Sequence, residues 1–357
     1  NASVIDWITA VVPCWHPEQV RDGSFVRVKR DGEIEWTSDC RLSVRGSHDS
    51  AVTLRSATWL PMQDGGYCFL EISGNLAKFF QGHNLFGSDD LPGLVFDFMR
   101  WLAVNQPVEV APSVEDINAW RSGAYQVNRA DVTDSFKLRS RSDVLAWLRA
   151  AEQTAHLSHR GRGQLVKGNT LYFGKNSRRW SLKIYGKGQE IEAHSSDQPA
   201  LASLPQVRDW ADNVLRAELV IRGMELKRLQ LDTGTAWLPL DGVPFDALAM
   251  LRDKLGAMTM TTTRTLSDEV ISTLTAAQHN GYLAWVAGND LRQSMSRPSF
   301  YRLRAKLLPH GIDIATLQPS EDRSNVVPLV RVLEAIPAGV PDWAMGTKLF
   351  YEPRRVA

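Results

Sequence analysis

The chain is poor in cysteine, has no apolar run long enough to span a bilayer, and carries almost no net charge, with 41 Lys and Arg against 40 Asp and Glu over 357 residues. Each lack excludes something. Cys14, Cys40 and Cys68 are odd in number and have no metal-ligand spacing, which argues against a disulfide scaffold or a zinc module and for a reducing compartment. Without a span of about 20 apolar residues no membrane helix is expected. No basic-then-apolar leader is present, and Asn1-Ala2-Ser3, without a starting Met, reads as a tag remnant. A net charge of +1 gives no global attraction to a polyanion. No alternating histidine pair, P-loop, CxxC pair or GxSxG motif occurs, so several enzyme classes lose their usual support. There is no internal repeat and no low-complexity tract.

What is present is a globular composition, 43% hydrophobic with twelve tryptophans, and length enough for two or three cored domains. The charge is unevenly placed. From His156 to Lys187 there are eight Lys and Arg and no acid; from Leu291 to Leu308 there are five and again no acid. Both patches carry aromatics. Basic loops are the plain account of one such patch; two suggest a surface that tracks phosphates.

Strand patterns fill the first part: "VIDWITAVVP" (4–13), "SFVRVKR" (24–30), "RLSVRG" (41–46), "AVTLRS" (51–56) and "YCFLEIS" (67–73). Residues 91–105 have helical periodicity, and 113–123 read as a Ser-capped helix. A strand at 125–138, a helix at 140–155, a hairpin at 170–187, a helix at "VRDWADNVL" and a strand at 215–223 follow. From about 240 the pattern is mostly helical, with a boundary near "DTGTAWLPLDGVP". The expectation is an α+β protein: a β-rich part at 4–110, an antiparallel-sheet core with helices on one face at 111–235, and a helical region at 240–357.

Alternation along strands sorts the chemistry. In 180–187, Trp180, Leu182 and Ile184 share one face; Ser181, Lys183, Tyr185 and Lys187 share the other. Arg129, Asp131 and Thr133 form one face of their strand, Arg216 and Glu218 one face of theirs, and Glu71 opposes Leu70 and Ile72. If these strands are neighbours, Tyr185, Asp131, Glu218 and Glu71 converge. Carboxylates suit Mg²⁺ or Mn²⁺, a Lewis acid for a phosphodiester. A tyrosine forms a stable yet reversible phosphate ester, and Lys183 and Lys187 would lower its pKa or steady the phosphate. Plainer accounts stand beside these: surface salt bridges for Asp131 with Arg129 and for Glu218 with Arg216, a structural strand tyrosine (Tyr172 and Tyr125 are rivals), and a loop or capping role for His83. In 297–308, Phe300, Leu303 and Leu307 make an inner stripe while Ser299, Arg302 and Lys306 face out, with Tyr301 and Arg304 flanking. That is either a helix-turn-helix reader or a small bundle with a basic rim.

In order along the chain, "VIDW", "LEISGNLAKFFQGHNLFGSDDL" (70–91), "NRADVTDSF" (128–136), "TLYFGKNSRRWSLKIYGKGQEIEAH" (170–194), "LRAELVIR" (215–222) and "NVVPLVRVLEAIPAGVPDW" (325–343) resemble the rolling-circle replication initiators of filamentous phages, the gene II protein family, related to the HUH endonucleases. The likeness covers nearly the whole chain; QGHN-x-FG-x-D and the VVPLVR…PDW ending are its most specific parts. It implies an HUH-like nuclease core that nicks the viral strand at the origin, keeps the new 5′ phosphate on a tyrosine, leaves a 3′-OH for a host polymerase, and later rejoins the displaced strand. Tyr185 matches the family's "IYGK" position. The chain departs from the HUH pattern: Asp131 and Thr133 stand where two histidines would, and the tyrosine lies on a strand in Y-x-K. The roles of His83, Thr133 and Asp6 stay open. The resemblance further implies double- and single-stranded origin DNA, host helicase and polymerase as partners, no membrane, and the cytoplasm of a bacterial host. Lys175, Arg178 and Arg179, with Arg297, Ser299, Arg302, Arg304 and Lys306, are the expected DNA contacts. Two rivals share the basic patches: an origin-binding repressor without chemistry, and an RNA-binding protein with aromatics on a sheet.

Overall fold

In the computed structural model the described residues are 4–47, 50–57, 66–157, 160–195, 204–256, 258–260, 268–286, 289–310, 312–315 and 338–353. Residues 1–3, and 325–337 of the VVPLVR…PDW ending, lie outside them.

The strand-rich first part and the expected core form one sheet. Its strands are β1 (Val4–His16), β4 (Leu42–Arg45), β5 (Ala51–Ser56), β6 (Tyr67–Gly74), β7 (Gln126–Lys137), β10 (Gln164–Val166), β11 (Thr170–Phe173), β12 (Trp180–Gly186) and β13 (Val214–Arg222), ordered β10-β11-β12-β13-β7-β1-β6-β5-β4. All neighbours are antiparallel. β1 lies between β6 and β7, so hydrogen bonds cross the boundary drawn at 110. The strands β2 (Ser24–Val28) and β3 (Ile34–Asp39) make a separate hairpin, and β8 (Ala155–Leu157), β9 (Gly161–Arg162) and β14 (Met258–Met260) a small sheet.

Alternation decides what each face does. Ile8, Ala130 and Ile221 lie on one rung, Val132 and Leu219 on another, and Leu182 follows in register. All are buried in one core with Val144, Trp147 and Leu148 of α4 (Arg141–Thr154), and with Leu94, Phe98 and Met99 of α2 (Leu91–Asn105). Burying such side chains is worth about 1.5–3 kcal/mol each. Sequence signals set the helix starts: Asp90 caps α2, Ser140 caps α4, and Ser113 with Asp116 forms a capping box on α3 (Val114–Ser122).

Of the part expected at 240–357, the helix Ala247–Gly256 buries Ala247, Leu248, Leu251 and Leu255 in the sheet's core. Helices Asp268–Ser272, Ala276–Val286, Leu291–Ser294 and Arg297–Leu307 enclose a core of their own around Tyr282, Trp285, Phe300, Leu303 and Leu307. Residues 338–350 pack elsewhere, with Leu85, Phe86 and the helix Pro205–Asp212. No helix among the described residues is long and apolar enough to cross a membrane.

Candidate active site

The face of the sheet away from α2 and α4 carries the ionisable groups, with the helices Lys187–Ala193 and Pro205–Asp212 packed at one end of it, and register places them. One rung holds Tyr185, Arg216 and Ser135; the next holds Lys183, Glu218, Thr133 and Val4; the next holds Ser181, Val220, Asp131 and Trp7. Tyr185 is thus opposite Arg216 and diagonal to Glu218, and Glu218 is diagonal to Asp131. Diagonal neighbours in a sheet are about 7–8 Å apart. Tyr185 and Asp131 are two strands and four residues apart, about 16 Å between Cα atoms by strand geometry.

Lys183 Nζ lies 4.2 Å from the centre of the Tyr185 ring and donates to Glu218 Oε2 at 3.0 Å. Lys187 lies 5.9 Å from the ring centre. It is not on the strand as expected: β12 ends at Gly186, and Lys187 opens α5 (Lys187–Ala193). Gly186 has ordinary extended backbone at φ -78 and ψ 121, and a Cβ there would meet the movable end of the Gln189 side chain. Lys187 is buried, at 1% side-chain exposure, and donates to Asn84 Oδ1 and Glu190 Oε2, both at 2.7 Å. Burial pushes the Lys187 ammonium down against the pull of Glu190. Burial would also raise Glu190, but Lys187 beside it holds its carboxyl down at about 2.

The expectation that lysines lower the Tyr185 pKa is corrected by burial. Tyr185 is 2% exposed, and desolvation drives its pKa well above 10, with Arg216 opposing and Glu218 adding. Both lysines stand beside the ring, and the charge they bring does not offset the lost water.

Arg216 is the residue that the strand pattern did not single out. It is fully buried; its Nη2 donates to Thr133 Oγ1 at 2.7 Å and lies 3.5 Å from Asp6 Oδ1, and its Nη1 donates to the Asn84 carbonyl. Its Nε has no partner among the described residues. Asp6 also accepts from Asn75 Nδ2 at 2.8 Å and Asn84 Nδ2 at 3.0 Å. A surface pair of Arg216 with Glu218, the plainer sequence account, is therefore not what forms: Glu218 takes Lys183, and Arg216 takes Asp6 and Thr133. The signal available in sequence was the conjunction of "VIDW", "QGHN" and "LRAEL", each supplying one member.

Asp131 is gripped by Arg129, with Nε and Nη2 at 2.8 and 2.6 Å. Burial still lifts its pKa to about 7, helped by Glu218 and Asp6 and opposed by Arg129. Glu71 is apart: it pairs with Arg41 at 2.5 Å and Arg55 at 2.9 Å, and stands opposite Val11 on β1, two strands from Asp131. His83 is buried in the loop after α1 (Leu76–Gln81), bonded to the Leu349 carbonyl at 2.7 Å.

No three His, Cys, Asp or Glu side chains among the described residues are grouped to hold a metal ion. Mg²⁺ asks less, since one or two carboxylates complete its shell with water and phosphate oxygens. Asp131 and Glu218 fit that requirement in position, as diagonal neighbours, but both are engaged, Asp131 by Arg129 through both oxygens and Glu218 by Lys183, so a metal ion would have to displace those cations. Glu71, two strands from Asp131, does not join them.

The expected DNA contacts divide. Lys175, Arg178 and Arg179 are exposed in the β11–β12 turn; Lys175 lies over Tyr172 at 5.1 Å, and Arg179 is 3.7 Å from Glu225. They sit about 20 Å along the hairpin from Tyr185. On the helix Arg297–Leu307, Arg297 and Arg302 are exposed, and Ser299 bonds Ser296. Arg304 is held by Asp313 and His156, and Lys306 donates to the Thr273 carbonyl.

A family model described as the N-terminal part of the phage replication-associated protein, the gene II protein, matches residues 4–239, and one described as the C-terminal part of the same protein matches residues 266–349. The replication-associated protein of this type from Enterobacteria phage I2-2 is 37% identical to this chain over 343 residues, 95% of each. A solved structure of a rolling circle replication initiator protein from Geobacillus stearothermophilus aligns with 74% of this chain and 89% of its own at 14% identity and a TM-score of 0.30, a likeness too slight to support an argument. By the two family models and the relative, the chain belongs to the family of phage replication-associated proteins of the gene II type.

Proposed function

We propose that the protein initiates rolling-circle replication by nicking origin DNA with Tyr185 and later rejoining the ends. The observation that supports this best is the Tyr185 rung: a phenol opposite a fully buried Arg216, flanked by Lys183 and Lys187, and diagonal to Glu218.

Tyr185 Oη attacks the phosphorus; the P–Oη bond forms as the P–O3′ bond breaks, and the phenolic proton leaves to solvent while the 3′ oxygen takes one up. The 5′ phosphate stays on the tyrosine, and attack by a 3′-OH reverses the step. Burial keeps the phenol neutral until attack, and Arg216 opposite it supplies a fixed positive charge for the negative charge that develops as the proton leaves. Lys183, with 26% of its side chain exposed, is the group at the surface through which a phosphate reaches the ring. Asp131 and Glu218 would hold Mg²⁺ or Mn²⁺, which supplies Lewis-acid charge to the phosphate's non-bridging oxygens. The exposed cations of the β11–β12 turn would bind backbone phosphates, and Arg297 and Arg302 the origin duplex. Host helicase and polymerase would act on the opened strand.

An origin-binding protein without chemistry has one observation in its favour, the burial of Tyr185, which a structural tyrosine also shows. Supercoiled DNA carrying the cognate origin separates the two. Mg²⁺-dependent relaxation that EDTA stops supports nicking; specific binding with the supercoil left intact refutes it.

A further inference from the structure

The loop after α1 is held from outside as well as from within. Gly82, at φ 85, turns the chain out of α1. Gln81 Nε2 then donates to the carbonyls of His83 at 2.9 Å and Phe86 at 2.6 Å. The Leu85 N–H donates to His83 Nδ1 at 3.3 Å, which leaves His83 Nε2 to carry the proton and donate to the Leu349 carbonyl. Residues 338–353 complete the grip. The Tyr351 N–H donates to Gln81 Oε1 at 2.9 Å, and the Tyr351 ring stacks on Phe80 with centroids 4.3 Å apart. Trp343 and Phe350 meet Phe86 edge-on at 5.9 and 6.0 Å. At its other end the segment reaches the Tyr185 rung itself, the Ala338 N–H donating to the Ser135 carbonyl at 2.8 Å.

Between the clamped residues Gln81, His83 and Phe86 stands Asn84, three of whose polar groups serve the site. Its Oδ1 takes Lys187, its Nδ2 holds Asp6, and its carbonyl takes Arg216. We propose that residues 338–353 are a positioning element of the nicking centre: by clamping Gln81, His83 and Phe86 they fix Asn84, and through it the Lys187 and Arg216 that flank Tyr185. The segment acts on the reaction rate rather than on DNA affinity, because none of its contacts named above is with the exposed cations. This rests on Tyr185 being the nucleophile.

The test uses the full chain and an oligonucleotide carrying the cognate origin, with single-turnover cleavage, oligonucleotide affinity and thermal melting measured together. His83→Leu removes the donor to Leu349, whereas His83→Gln keeps an N–H at the depth of Nε2. Phe350→Ala frees the segment from Phe86. His83→Leu and Phe350→Ala should each slow cleavage by about tenfold to a hundredfold, the scale of a small misplacement of reacting groups. Affinity should stay within about twofold, since backbone contacts set it. His83→Gln should recover most of the rate. Folded His83→Leu that cleaves at the parental rate overturns the proposal, as does faster cleavage, which would make the segment a lid. So does equal loss of binding and cleavage, or a Gln variant as slow as the Leu variant. If Phe350→Ala does not fold, the two His83 variants decide. A parent chain that binds the origin without cleaving it would instead remove the nucleophile reading, and this proposal with it.

Discussion

The two ends of the β11–β12 hairpin carry cations under opposite regimes. At the turn, Lys175, Arg178 and Arg179 are exposed and only loosely engaged. At the other end, Lys183, Lys187 and the facing Arg216 are committed to Glu218, to Asn84 and Glu190, and to Asp6 and Thr133. Exposed cations exchange counterions for phosphates and give salt-dependent affinity. Buried ones, already desolvated and fixed, present charge in one place and are suited to chemistry. Burial therefore divides the basic run of the sequence into two regimes, one exposed and one committed to buried partners.

Arg216→Met should break the buried end most severely. Removing one partner of a buried pair strands the other, at about 3–5 kcal/mol, and cleavage should vanish with the charge. Urea unfolding and nicking of origin DNA check it; a variant as stable and as active as the parent would place the central charge elsewhere. Next, Asp131→Asn and Glu218→Gln should each slow cleavage by about 10²–10³-fold with DNA binding little changed. Glu71→Gln, two strands from Asp131, should leave cleavage near the parental rate; equal loss in all three would return Glu71 to the site. At the exposed end, Arg178→Ala should weaken specific and nonspecific DNA alike and reduce the slope of log K against log salt by about 1. A salt titration with origin and scrambled DNA would show it, and a loss confined to the origin sequence would contradict it.

The smallest effect is acid stability. Glu190 titrates near 4.5 when unfolded and near 2 beside Lys187, so on acidification the unfolded chain takes up the proton first. Its contribution is complete above pH 4.5 and is lost as the pH falls toward 2. Glu190→Gln should flatten the decline of stability across that window; an unchanged pH profile would mean that Lys187 does not hold the carboxylate.

Local pattern revealed most elements. "AVTLRS" is β5 at 51–56, residues 91–105 are α2, and the alternation at 180–186 and 215–221 gave the right faces. The stripe Phe300, Leu303 and Leu307 is the buried side of its helix. These depend on periodicity and caps, which neighbours in sequence decide. The order of the sheet was not legible, because β1 pairs with β7 over more than a hundred residues and only packing selects that partner. For the same reason Arg216 looked like a partner for Glu218, two residues away, when its carboxylate is Asp6, 210 residues away. The exit of the chain into α5 at Gly186 and the docking of 338–353 on His83 left no periodic trace. Tyr185 was readable as a candidate because alternation puts it beside Lys183; its burial was not, since the groups that cover it come from other segments.

Mapping the covalent bond tests the central claim most directly. The full chain would be incubated with Mg²⁺ and an origin oligonucleotide labelled 3′ to the cleavage site, digested, and the labelled peptide identified by mass spectrometry. The account predicts label on the peptide containing Tyr185 and none in Tyr185→Phe, with the variant still binding the oligonucleotide. Label on Tyr172 or Tyr125, or undiminished adduct in Tyr185→Phe, would contradict it.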